Sequence, residues 1–182
     1  MRIAILGYSG SGKSTLAKYL STYYSIPVLY LDTIQFEANW KERNRQEAIS
    51  MVAEFMSKED WIIDGNYTSF LQDERLDLAD YIIYMAFSRF NCLLRAYKRY
   101  FRYKNTSRES MASGCIEKID IPFVWWILHK GRSKEKKQYY NSVLQKYHTK
   151  SIVLNNQKQL NKFMIDLFDS DSSTTKEPVR PF

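Results

Sequence analysis

The chain predicts an α/β fold in which a five-stranded parallel sheet is flanked by helices on both faces. Three observations predict it. Short apolar runs alternate with stretches of helical period, the pattern of a parallel sheet with helical crossovers. The first run, Ile3-Ala4-Ile5-Leu6, leads straight into Gly7-Tyr8-Ser9-Gly10-Ser11-Gly12-Lys13-Ser14-Thr15. That is G-x-x-x-x-G-K-[S/T], a phosphate-binding loop, in the strand-then-helix setting the motif requires. Finally, Asp32 and Asp64 close the second and third apolar runs. They therefore fall at the carboxyl edge of the sheet, where ligands of such folds bind.

In order, residues 2–6 predict a strand that is apolar throughout, as burial on both faces demands. Lys13 to Tyr24 predicts a helix, with Leu16, Tyr19, Leu20 and Tyr23 on one side. Pro27 introduces a second strand, Val28 to Leu31, and Lys41 to Met56 again has helical period. Trp61-Ile62-Ile63 is a third strand, ending at Asp64-Gly65. Residues 81–85 form a fourth, and Ile152-Val153-Leu154 a fifth. Further helices are expected at Arg89 to Tyr103, Pro122 to His129, Lys134 to Tyr147 and Asn156 to Phe168. Between Lys104 and Glu117 the pattern lapses into polar residues around Gly114, which reads as a mobile loop. One domain over 1–169 is expected, with a basic helical lid at about 104–135. A disordered polar tail is expected over 170–182.

The 182 residues are 45% apolar and 26% charged, an ordinary globular balance. No stretch approaches the length of a membrane span. The first strand begins at Arg2, no secretory leader is read, and Cys92 and Cys115 have no zinc or redox spacing. Reduced thiols in the cytoplasm are the expectation. The net charge of +7 is concentrated: residues 89–150 hold fifteen Lys and Arg against four Asp and Glu, and the rest of the chain is acidic. Such a segment attracts polyanions: a triphosphate, a phosphorylated substrate or nucleic acid.

The loop implies a nucleoside triphosphate. Its glycines permit positive φ and close approach to phosphate, and successive N–H groups form an anion nest at a helix N-terminus. Lys13 is the expected β,γ-phosphate contact and the Ser14 hydroxyl the expected Mg²⁺ ligand. Asp64, a carboxylate ending a buried strand, is the expected second metal contact, against a simple turn-capping role. Asp32 either orients or deprotonates an attacking hydroxyl or caps the turn it begins. Arg95 and Arg99, four apart on one helix face, are candidates for stabilising charge on a transferring phosphoryl group. Arg132 would join them from the lid, with Arg102 and Arg108 as further candidates. Trp40 and Arg43 sit where an acceptor pocket would form. Trp125-Trp126 and Tyr139-Tyr140 read as core or interface.

These motifs resemble the adenylate-kinase-like branch of P-loop NTPases. Leu29-Tyr30-Leu31-Asp32, Asn39-Trp40 with Arg43, Ile62-Ile63-Asp64-Gly65-Asn66-Tyr67, Arg95/Arg99 and Gly131-Arg132 narrow the likeness. Over residues 1–168 the chain is similar to the bacterial DNA topology modulation proteins. The resemblance implies a five-stranded sheet with a phosphate-closing lid, and nucleotide-kinase-like use of ATP and Mg²⁺ on a small-molecule acceptor. The alternative is a nucleotide-gated DNA-binding regulator, which the Tyr97, Tyr100, Phe101 and Tyr103 aromatics among basic residues would suit. The chain departs from adenylate kinases where Val143 replaces a second lid arginine. It departs again where Asn66-Tyr67 replaces the arginine that grips an acceptor phosphate. The acceptor and the oligomeric state are left open.

Overall fold

A computed structural model describes residues 1–104, 106 and 108–172. Five strands, β1 (Arg2–Gly7), β2 (Val28–Tyr30), β3 (Trp61–Asp64), β4 (Tyr81–Met85) and β5 (Ser151–Leu154), form one parallel sheet in the order β2-β3-β1-β4-β5. The sequence order reverses direction at β1, so a crevice opens at its carboxyl end between β3 and β4. The helices are α1 (Lys13–Tyr24), α2 (Leu31–Gln35), α3 (Arg45–Met56), α4 (Gln72–Leu78), α5 (Arg89–Arg102), α6 (Ile121–Leu128), α7 (Lys134–Lys146) and α8 (Gln157–Ser172).

Side-chain alternation along the strands divides the core in two. Ala4, Leu6, Trp61, Ile63, Ile82 and Tyr84 point to a layer with Val52 of α3, Leu76 of α4 and Tyr140 of α7. Ile3, Ile5, Ile62, Ile83 and Met85 point the other way, to Leu16 and Leu20 of α1, Ala96 of α5 and Leu160 of α8. Both layers are fully buried at the centre, which explains why the strands are continuous apolar runs.

Four local expectations need correction. β2 stops at Tyr30, and Asp32 lies in the first turn of α2 rather than at the strand end. α3 begins at Arg45, not Lys41, because Asn44 caps it, its Oδ1 accepting from Gln46 N at 2.9 Å and Glu47 N at 3.3 Å. Helix α4 had no anticipated counterpart; its seven residues are too few for periodicity to register. Helix α8 continues through Ser172, so the first residues of the expected tail are helical. The remainder of that tail, 173–182, lies outside the described residues. Among the described residues no helix is long and apolar enough to cross a membrane, and Cys92 and Cys115 are free, buried thiols.

Candidate active site

The crevice holds a cleft of about 1390 Å³ running from the phosphate loop to Trp40. A single small ligand needs about 300–1,000 Å³, so this cleft has room for two substrates side by side.

The phosphate loop forms its floor. Gly12 has φ 98° and begins α1 without a side-chain cap, so the first N–H groups of the helix remain free for an anion. A side chain at Gly12 would meet the Arg95 guanidinium at 2.7 Å. Asn66, the residue after the β3–Gly65 turn, braces the loop from behind. Gly7 N donates to its Oδ1 at 3.0 Å, and its Nδ2 donates to Gly7 O at 2.6 Å. Lys13 Nζ donates to Tyr8 O at 3.2 Å, which folds the ammonium back over the loop. Tyr8, Ser9, Gly10, Ser14 and Thr15 line the cleft with Gly12 and Lys13, while Ser11 is wholly buried beneath them.

Asp64 and Ser14 meet beside that floor. The Ser14 hydroxyl donates to Asp64 Oδ2 at 2.6 Å. Asp64 is buried, and its Oδ1 has no hydrogen-bond partner among the described residues. Burial pushes the carboxyl up to about 6, opposed by Lys13 and the Ser14 hydrogen bond. A buried, half-satisfied carboxylate next to a hydroxyl is a donor set that suits Mg²⁺. No group of three His, Cys, Asp or Glu side chains gathers for a metal among the described residues. A metal here would therefore complete its shell with phosphate oxygens and water.

Across the cleft, Asp32 Oδ1 accepts the Tyr67 hydroxyl at 2.9 Å. Burial, with Asp32 alongside, raises the Tyr67 pKa, so the phenol stays a donor. The segment carrying Asn66 and Tyr67 is held by Arg75 of α4, which is completely buried. Its guanidinium donates to Phe70 O and Tyr67 O, each at 2.9 Å, and to Gly65 O at 3.5 Å. Three carbonyls stand in for a counter-charge, and burial lowers its pKa to about 10.

The basic segment closes the cleft from above. Arg95 donates to Ser11 O at 2.8 Å and lies over the Phe87 ring. Arg99 and Arg108 both pair with buried Glu117, at 2.7 and 2.6 Å. Burial lowers the Arg99 pKa and the nearby Arg108 charge adds to that, while Glu117 opposes it. The stretch read as a mobile loop folds back on itself through a bridge between Lys104 and Glu117. It also touches both rims: Glu109 pairs with Lys18 of α1, and Cys115 Sγ donates to Glu37 O at 3.4 Å and accepts Trp40 N at 3.3 Å. Gly114, φ 74°, passes so close to Asn39 that a Cβ would sit 2.7 Å from its Oδ1.

The structure therefore brings together the phosphate loop, Asp32, Asp64, Trp40, Arg95 and Arg99. It does not bring Arg132 or Arg43 into the cleft. Arg132 donates to Phe87 O and Ile127 O at 2.8 and 3.1 Å and covers the Tyr8 ring at 3.7 Å, bracing the loop from outside. Arg43 is occupied by Ile34 O and Glu47 at 3.0 and 2.7 Å. Both guanidinium groups are drawn to nearer acceptors. Trp126, read as core or interface, lies at the cleft edge with its indole N–H on Ser9 Oγ at 3.2 Å. Asn66, Tyr67, Arg75 and Glu117 were not singled out as site residues. Asn66 and Tyr67 stood in the motif that follows the third strand, and Glu117 carried a signal as one of four acids in a strongly basic stretch.

Among solved structures, the shikimate kinase from Acinetobacter baumannii in complex with shikimate is similar over 96% of this chain and 95% of that one. The identity is 15% and the TM-score 0.53. This chain has a P-loop NTPase fold. The deoxyadenosine kinase from M. mycoides with bound dCTP is similar over 93% of this chain and all of that one, with 16% identity and a TM-score of 0.48. No protein-family model and no curated protein matches the sequence.

Proposed function

We propose that the protein transfers the γ-phosphoryl group of ATP to a hydroxyl or phosphate oxygen of a small-molecule acceptor. The observation that carries this reading is the Ser14–Asp64 pair, with its unpartnered buried oxygen at the mouth of the phosphate loop. A plain anion site has no need of a desolvated carboxylate there. In this reading Ser14 and Asp64 hold Mg²⁺, which when bound supplies charge neutralisation for the triphosphate.

The loop amides and Lys13 bind the β- and γ-phosphates. The acceptor oxygen bonds to the γ-phosphorus as the bond to the β,γ-bridging oxygen breaks, and ADP leaves with those electrons. Where the acceptor is a hydroxyl, its proton passes to Asp32, whose orientation Tyr67 sets through Oδ1. Arg95, Arg99 and Arg108 stabilise the charge spread over the equatorial oxygens, and Trp40 walls the acceptor end. The unit that does this is residues 1–169, with 104–135 as its lid. Asn66 is committed to the Gly7 backbone, so an acceptor phosphate would be gripped from the lid rather than from the turn after β3. The narrower likeness to DNA topology modulation proteins rests on the sequence motifs. The helix behind the nucleic-acid reading turns Arg95 and Arg99 into the cleft and Tyr97 and Phe101 outward, which separates the texture that suggested DNA.

Acceptor-dependent ADP release with Mg·ATP, over a panel of nucleosides, nucleotides and small hydroxylated metabolites, tests the proposal. At least one acceptor class should stimulate turnover, and Lys13→Ala should abolish it. A panel in which no acceptor raises ADP release above the acceptor-free rate overturns the kinase reading.

A further inference from the structure

Helix α5 is amphipathic in an unusual sense. Its inner face presents Cys92 and Ala96 to the core and Arg95 and Arg99 to the cleft. Its outer face is apolar. Phe90, Leu94, Tyr97 and Phe101 are 73%, 55%, 41% and 71% exposed. Their spacing of four, three and four residues places all four on one stripe about 40° to 60° wide, on the side opposite Cys92 and Ala96. Scattered exposed hydrophobics need no explanation, but a continuous stripe over three turns does.

We propose that this stripe is the contact between two copies of the chain, packed antiparallel about a two-fold axis between Leu94 and Tyr97. The spacing reads the same in both directions, which is what an isologous helix pair requires. Phe90 then faces Phe101 of the second copy, and Leu94 faces Tyr97. The helix dipoles favour this direction, since an antiparallel pair sets them in opposition.

The area fits too. With whole aromatic side chains at about 150–250 Å², the stripe exposes on the order of 400–500 Å². Two stripes together bury about 800–1,000 Å², the low end of the range for weak, reversible association. A reversible dimer in the micromolar range is expected. This inference is independent of the proposed reaction.

Sedimentation equilibrium of the full chain at tens of micromolar tests it. The wild type should sediment as a dimer. Leu94→Glu and, separately, Phe101→Glu should halve the mass with an unchanged circular-dichroism spectrum, since both side chains are already in solvent. The direction is tested by oxidation. The double variant Phe90→Cys, Phe101→Cys should give a covalent dimer, whereas neither single variant should; Cys92 and Cys115 are buried and do not compete. A monomeric wild type overturns the proposal, as does a Leu94→Glu chain that stays dimeric. Cross-linking by a single variant overturns the antiparallel direction. Wild type that stays monomeric but pellets with phosphatidylserine vesicles in a Leu94-dependent way assigns the stripe to a membrane and also overturns the proposal.

Discussion

The floor and the roof of the cleft are built by different physics. The floor, from Gly7 to Ser14, is held by its own main chain: the Asn66 side chain pairs with both polar backbone atoms of Gly7, and Tyr8 N donates to Met85 O at 3.3 Å. Behind it lie two buried core layers. The roof, from Lys104 to Asp120, is fixed by side chains. Its ties are Glu117 to Arg99 and Arg108, Glu109 to Lys18, and Cys115 to Glu37 and Trp40. Ties to main-chain atoms backed by a core hold the floor through the fold itself, whereas the roof depends on a few side-chain ties, of which the Lys18–Glu109 pair is exposed and the Glu117 pairs are buried.

Breaking the floor should have the largest effect. Asp64→Asn is expected to lower acceptor-dependent turnover about 100- to 1,000-fold, measured as ADP release. The same variant sharpens the point through stability. The folded state holds the Asp64 proton more tightly than the unfolded chain, so this carboxyl stabilises the fold at low pH and that contribution is lost as pH rises from 3.8 to about 6. In urea melts with EDTA and no nucleotide, Asp64→Asn should therefore gain on wild type across that window. The gain should level off at no more than roughly 3 kcal/mol. A parallel pH dependence in both proteins would contradict the burial argument.

Arg75→Met comes next. It leaves the Tyr67 and Phe70 carbonyls without their buried donor, and a loss of about 2–4 kcal/mol in denaturant melts is expected. The roof responds more mildly. Glu117→Gln removes the buried counter-charge of Arg99 and Arg108, so KM should rise several-fold, with a loss of about 1–3 kcal/mol in stability. A fall in kcat at constant KM would instead mean that the pair acts only in the transition state. The smallest effect belongs to Lys18→Ala. Its pair with Glu109 is largely exposed on both sides, and the change in melting should stay within about 0.5 kcal/mol.

The strands, α1 and the phosphate loop were readable because each is a local pattern: apolar runs, helical spacing, and glycines where only glycine fits. Asp64 was readable for the same reason, as the polar end of an apolar run. Asp32 was placed one element early, because Leu31 is apolar whether it ends a strand or begins a helix. Arg132 and Arg43 were drawn toward the site by charge, chain position and motif, but a guanidinium goes to its nearest carbonyls and carboxylates, and sequence distance does not list those. Trp126 was read as core or interface, yet its indole N–H finds Ser9 at the cleft edge, more than a hundred residues away.

From residue order alone came the parallel sheet, the glycine-rich turn after the first strand, and the buried acid that ends the third. Each depends on neighbours within a few positions, where backbone sterics and burial leave few alternatives. Only the folded chain decided which arginines enter the cleft, that Asn66 and Arg75 hold it in shape, and that Glu117 gathers its roof. Those outcomes turn on contacts across long stretches of chain, where the nearest unsatisfied acceptor wins and composition is silent about which one that is.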